Sequence, residues 1–430
     1  MGEDRISNLP ELLIDSILER VPVKDAVKTS IISKRWRYRW TTMRALVFDE
    51  NFYKKFAKNG AFGRNGFIRI INQVVLLHRG PISKFHLHIP NISLDSFQEV
   101  DQWMQFLSRN GVYELVLTNL NRCYRLSSHV FSCQELSKLK LENYLFKPPC
   151  EFKGSLNLQE LFFKNNDFGA NLWGTEINLP QLKDLSMYTC TNVDNFNIKA
   201  TKLQILRVSK CPDAMLLHLL HSPCLNRVAI CYLKPIGGFV LKRITLAMML
   251  SNLPNITHFH INDHFLKSFT AENIPKWLPQ PLDSLEHIWL QDFQHGDLDQ
   301  LHGALCLLRN SPNLKKLCIM RTKMEPVVDE GPVLNHLETP NCFDTTLNKL
   351  QTVKITCLRG TKPELLLIKL LLAHSPSMEK FTISPSVNCD AKVILYIAKE
   401  VMRFPRASPK AEVVYLNPEP ILCSEVITSI

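Results

Sequence analysis

Histidine pairs are the first residues in this sequence whose spacing could do chemistry. His86 and His88 stand two apart, as do His258 and His260, with Asp263 and His264 close behind. Alternate histidines on one strand face can chelate a metal, and a carboxylate could add an oxygen ligand. No cysteine or carboxylate frames either pair at a familiar spacing, so exposed polar residues on a sheet face are the expected reading and no metal is expected. Catalytic groupings are equally hard to find. There is no Gly-x-Ser-x-Gly, no phosphate-binding loop and no Gly-x-Gly-x-x-Gly, and glycines number only 15. Acidic residues do not cluster as an acid–base pair on one element. No catalytic residue and no cofactor are expected.

Charge points to a partner instead. The net charge of +11 is spread along the chain, apart from the run Lys34-Arg35-Trp36-Arg37-Tyr38-Arg39. A basic balance favours an acidic protein surface, nucleic acid or anionic lipid, and charge alone does not choose among them. The 13 cysteines are scattered, without a Cys-x-x-Cys pair. With no apolar leader at Met1-Gly2-Glu3-Asp4-Arg5-Ile6, they are expected as mostly buried thiols in a reducing compartment, nucleus or cytoplasm. The apolar run from Leu365 to Ala373, interrupted by Lys369, is far shorter than the roughly 20 residues of a membrane span.

The elements that must position such a surface declare themselves by repetition. Apolar-x-x-apolar-x-apolar recurs at Leu136/Leu139/Leu141, Leu158/Leu161/Phe163, Leu182/Leu185/Met187, Leu203/Leu206/Val208 and Leu225/Val228/Ile230. It continues at Ile256/Phe259/Ile261, Leu285/Ile288/Leu290, Leu314/Leu317/Ile319, Leu350/Val353/Ile355 and Met378/Phe381/Ile383, with weaker copies at Ile82/Phe85/Leu87 and Val112/Leu115/Leu117. Copies are roughly 21–24 residues apart at first and roughly 28–36 later, around the leucine-rich-repeat period. The alternating part of each copy reads as a short strand with its two apolar residues turned inward. One such strand cannot bury its face alone, so neighbours stack in parallel around a shared core. The fold class expected is α/β: a right-handed leucine-rich-repeat solenoid with a parallel sheet on its concave face.

The longer spacings carry a second signature. An apolar run followed by Ser-Pro or Leu-Pro precedes the strands at Leu225, Ile256, Leu314 and Met378. Proline just beyond an apolar periodic run stops a helix, so these repeats are expected to use crossover helices and the short ones coil or 3₁₀ turns.

The first fifty residues differ. Leu9 to Val21 reads as an amphipathic helix with Pro10 in its first turn, and a second helical stretch runs from Lys24 to Trp36. A unit this small is poorly stabilised alone and its apolar surface wants a partner.

Here the residues become specific. Arg5-Ile6-Ser7-Asn8-Leu9-Pro10, Val23 to Ser30, Ser33-Lys34-Arg35-Trp36-Arg37 and Trp40 closely resemble the F-box of the plant F-box/LRR family. Val353-Lys354-Ile355, Arg359-Gly360, Glu364-Leu365, Lys369 to Leu372 and Ser375-Pro376 resemble its FBD-type tail. Arg39 departs from the pattern, which more often has an apolar residue before this tryptophan. The resemblance implies an all-α F-box that docks on a Skp-type adaptor and, through it, a cullin. It implies repeats that hold a protein substrate for ubiquitination by an SCF-type ligase. Leu9, Pro10, Leu13, Ile17, Leu18, Val27 and Trp36 would carry the docking, with internal helix packing as the competing role for each. The division expected is 1–50 F-box, 51–80 helical connection, 81–343 repeats, 344–418 FBD-like region and 419–430 tail.

Strand register predicts the partner-facing surface. Residues flanking the inward positions point outward: Lys140, Phe162, Lys164, Tyr188, Arg207, Arg227, His258, His260, His287, Trp289, Gln291 and Lys316. Lys140, Phe162, Tyr188, Arg207, Arg227, His260 and Trp289 are the candidate substrate contacts, and the interspersed cations suit an acidic segment. A ligase-independent scaffold is the alternative; a basic nucleic-acid-binding solenoid is a weaker one, and no membrane partner is expected.

Overall fold

The computed structural model describes residues 9–57, 64–92, 98–121, 123–169, 176–193, 196–212, 217–234, 246–270, 275–321, 329–339 and 342–417. The tail expected at 419–430 and the Arg5–Asn8 part of the motif lie outside them. The chain divides into two compact units, Met1–Thr201 and Lys202–Ile430.

In the first unit, parallel strands Ala45–Phe48, Lys84–Ile89, Glu114–Asn119, Lys138–Glu142, Glu160–Lys164 and Asp184–Tyr188 pair in chain order. In the second, strands Ile205–Ser209, Arg227–Cys231, His258–Asn262, His287–Gln291, Lys316–Met320, Thr352–Leu358, Lys380–Pro385 and Glu412–Tyr415 do the same. The register lines up the inward residues read from sequence: Leu115, Leu139, Leu161 and Leu185 form one buried row of the first unit, and Val228, Phe259, Ile288 and Leu317 one of the second. Burying such rows, at about 1.5–3 kcal/mol per large apolar side chain, is the main driving force for stacking.

Leaving the sheet follows a recurrent device. The residue just after a strand adopts a left-handed conformation at Asn143, Asn165, Thr189, Lys210 and Asp292. It turns the chain away from the sheet plane, and asparagine side chains then take up backbone groups that the sheet leaves unpaired. Asn166 Nδ2 donates to the Leu141 carbonyl (2.8 Å) while its Oδ1 accepts from the Tyr144 amide (2.7 Å). Asn262 does the same in the second unit, bonding both the amide (3.0 Å) and the carbonyl (2.8 Å) of Tyr232. These buried asparagines satisfy groups that the sheet does not, and the apolar pattern gave no hint of them.

Connections differ as the spacing predicts. Short repeats return through two-residue strands such as Tyr124–Arg125 and Tyr144–Leu145 and the 3₁₀ helix Ser128–Ser132. Long ones return through helices Leu246–Ser251, Leu298–Arg309 and Lys362–Ala373. The proline-terminated run before Leu225 is the exception, a 3₁₀ helix over Leu217–His221. Helix Lys362–Ala373 opens with a capping box: Glu364, buried, accepts the amides of Arg359, Gly360 and Thr361 at 2.8–3.1 Å. Gly360 sits at φ +78°, where a side chain would be strained.

The N-terminal segment corrects two expectations. Helix α1 is Glu11–Leu18 and helix α2 is Val23–Lys28, followed only by a 3₁₀ turn, Thr29–Ile31. The second helix does not reach Trp36, because Thr29 bonds back to the Ala26 carbonyl (2.6 Å) and Ser30, Ile31, Ile32 and Ser33 are weak helix formers. Nor is the segment all-α: Ala45–Phe48 pairs with Lys84–Ile89. No helix among the described residues is long and apolar enough to cross a membrane.

Candidate functional site

Two surfaces stand out, and the first belongs to α1 and α2. With only 8 residues, just over two turns, α1 has two apolar faces. Ile14 and Leu18, four apart, are buried; Leu13 and Ile17, also four apart, are 51% and 40% exposed. Leu12, Ile31 and Ile32 are exposed as well, although the sequence argument passed over them. Pro10 is exposed, with Leu9 and Val27 partly so. Leu18 and Trp36 are corrections: at 1% and 3% exposure they pack inside the module and cannot face a partner. The periodicity of so short a helix does not say which of its two apolar faces turns inward.

Arg39, the departure from the family pattern, has a clear task. Its guanidinium meets Glu11 at 2.5 Å and Asp15 at 3.8 Å, tying the 3₁₀ element Arg39–Thr42 to α1. The bond to Arg39 holds the Glu11 carboxyl below its ordinary value. This clamp leaves the Leu13/Ile17 side of α1 uncovered.

The second surface is the outward row of the sheet. In the first unit Lys84 and His86 meet Glu114 (3.2 and 2.7 Å), Lys138 meets Glu160 (2.6 Å) and Lys164 meets Glu142 (2.7 Å). Lys140 lies 6.0 Å over the Phe162 ring, which packs on Tyr188 at 5.2 Å. In the second unit the row carries rings. His258 stacks on His287 at 4.2 Å, and His260 on Trp289 at 5.0 Å. A groove of about 420 Å³ runs over His258, His287, Trp289, Lys316, Cys318 and Lys354. Burial, its neighbour His287 and Arg227 push the His258 pKa down to about 4.

Lys140 is exposed, and Phe162, Tyr188, Arg207, Arg227 and Trp289 are half-buried on the outward row. His260 is a correction. It occupies an outward position yet is 1% exposed, because Trp289 stacks on it and Cys231 and Gln291 close around its Nε2 at 3.6 and 3.1 Å. Burial depresses its pKa to about 4, so it sits neutral beneath the groove. Among the described residues no group of three or more histidines, cysteines and carboxylates is placed to hold a metal. His86 spends its ring nitrogen on Glu114.

Residues 6–48 match the F-box domain. An F-box/FBD/LRR-repeat protein of Arabidopsis thaliana is 32% identical, over 97% of this chain and 100% of its own length. This chain belongs to the plant F-box/FBD/LRR-repeat family. An FBD-associated F-box protein of the same plant is 26% identical over 96% of this chain and 100% of its own. An F-box/LRR-repeat protein, 27% identical, covers 63% of this chain and 88% of its own. F-box domains generally bind Skp-type adaptors, and F-box proteins generally act as substrate adaptors of SCF ligases. Within the matched residues 9–48, exposed apolar side chains lie at Pro10, on α1 and in the turn after α2.

Proposed function

We propose that this chain is the substrate-recognition subunit of an SCF-type cullin–RING ubiquitin ligase, working inside the cell, in nucleus or cytoplasm. Its F-box docks a Skp-type adaptor, and the adaptor joins it to the cullin. Its repeats form a right-handed leucine-rich-repeat solenoid whose sheet face holds a protein substrate. Residues 1–50 serve as the F-box, 51–80 as the connection, 81–343 as the repeats and 344–418 as the FBD-like region. The role needs no catalytic residue here: ubiquitin passes from the conjugating enzyme held by the RING subunit.

The observation that carries the reading is the uncovered apolar side of α1, Leu13 and Ile17, with Pro10 exposed just before it, within residues that match the F-box. Apolar side chains left exposed at the start of a small helical module mark a docking surface. Leu13 and Ile17 are about half exposed, so covering them supplies roughly half of the ~1.5–3 kcal/mol that full burial of such a side chain gives, and Leu12, Ile31 and Ile32 add to it.

Co-purification with a Skp-type adaptor tests it. The wild-type chain is expected to bind stoichiometrically. Leu13→Asp/Ile17→Asp is expected to abolish binding with circular dichroism unchanged, and Leu9→Ala/Pro10→Ala to weaken it. A folded wild-type chain that ignores the adaptor sinks the ligase reading.

A further inference from the structure

We propose that the sheet face of the second unit takes an acidic, extended protein segment carrying an aromatic or large apolar side chain, which seats in the groove over Trp289 and the His258–His287 stack. The inference rests on reading the sheet face as the partner surface, and it names the chemistry of that partner.

Charge carries the argument. Outward positions of the described second-unit strands hold Arg207, Arg227, Lys316, Lys354 and Lys380, with one carboxylate, Glu412. Lys316 and Lys354 have no ion-pair partner among the described residues, whereas Lys380 stands level with Glu412 on the next strand. The nearby Glu286 is already engaged by Lys315 at 2.6 Å. The same positions of the first unit hold lysines and carboxylates in equal number, and three pairs of them, Lys84–Glu114, Lys138–Glu160 and Lys164–Glu142, are ion pairs. The ammonium groups of Lys316 and Lys354, beside low-dielectric walls, concentrate positive potential, which draws and orients an anionic chain.

The groove supplies the second half. Two stacked ring pairs build its floor: His258 on His287, and Trp289 on the buried His260. Cys318 and Met320 continue that floor on the neighbouring strand, and Lys316 and Lys354 stand at the rim. Flat ring faces of this kind accept an apolar side chain with little loss of conformational freedom. At about 420 Å³ the space fits one large side chain and its backbone rather than a folded surface. An extended chain lying across the strands meets successive rows at the strand spacing, roughly 4.8 Å. It can therefore place carboxylates on Lys316 and Lys354 while its ring occupies the floor.

The test uses the full chain bound to its adaptor and fluorescein-labelled ten-residue probes, followed by anisotropy. The probes are a Glu/Asp peptide with a central Phe, the same peptide with Ala in its place, a Lys/Arg counterpart, and a ten-nucleotide single-stranded RNA. The acidic Phe peptide is expected to bind at least tenfold tighter than the basic one. Lys316→Glu/Lys354→Glu is expected to weaken it tenfold or more and to gain affinity for the basic peptide, a gain that misfolding cannot mimic. Lys84→Glu/Lys138→Glu, on the first unit, is expected to change it less than twofold. Trp289→Ala is expected to erase the advantage of the Phe peptide over the Ala peptide. Equal losses from both charge reversals overturn the proposal. So does tighter binding of the RNA with the same dependence on Lys316, or no binding of any peptide by a chain that still holds its adaptor. Loss of the adaptor alone breaks the docking reading and leaves this one standing.

Discussion

The two units share one plan and use it differently. Inward rows are interchangeable: leucine, phenylalanine, isoleucine and valine fill them in both. Outward rows part company. The first unit neutralises itself through Lys84–Glu114, Lys138–Glu160 and Lys164–Glu142, whereas the second presents lysines over stacked rings. Packing constrains half of each strand and leaves the other half for recognition. A face that pairs with itself has little left to offer a partner; a face that does not must be completed from outside.

That comparison breaks first at the core. Phe163→Ala in the first unit and Phe259→Ala in the second, both fully buried, are each expected to cost about 3–5 kcal/mol. Urea unfolding checks it, and a large difference between them would mean that the inward rows are not equivalent.

Acid separates the units next. His260 and His295 are buried neutral in the second unit, with pKa values depressed to about 4 and about 3, in both cases chiefly by burial. The unfolded imidazole binds its proton below about pH 6.5. Stability is therefore full above that value and is lost as pH falls toward 4, by on the order of 3 kcal/mol for His260 alone. Burial lowers His78, His86 and His88 of the first unit too. Hydrogen exchange between pH 7 and 4.5 is expected to loosen strand His258–Asn262 before strand Lys84–Ile89, and His260→Gln to flatten that pH dependence.

Asparagines sharpen what the units have in common. Asn166→Ala and Asn262→Ala each strand a buried amide and a carbonyl, at about 1–3 kcal/mol apiece, measurable as a lower thermal midpoint. The smallest effect is also the most discriminating. Lys138→Glu puts like charges beside Glu160 and Glu114 and should cost up to about 1 kcal/mol, while Lys316→Glu should stay within about 0.5 kcal/mol.

Much of this was legible in the chain. Strand positions follow from period-two apolar alternation, and the helical crossovers from proline stops, because both are local rules. The missed features depend on neighbours. Whether Leu18 or Leu13 turns inward depends on what packs against α1, and eight residues carry too little pattern to decide. His260 lies on the outward side of its strand and is covered by Trp289 from the next one, which no single-strand reading sees. The asparagines at 166 and 262 left a signal in their recurrence one to three residues past the last inward residue of a strand, but apolar periodicity does not look for it.

Register between strands is held by backbone pairing, so His258, His287 and Lys316 stay level with one another whatever the length of the chain joining them. Loops can lengthen, shorten or diverge without moving a recognition residue sideways. A single replacement on the outward row then rewrites one site and leaves its neighbours in place, so that specificity can drift one residue at a time on a sheet that never has to refold.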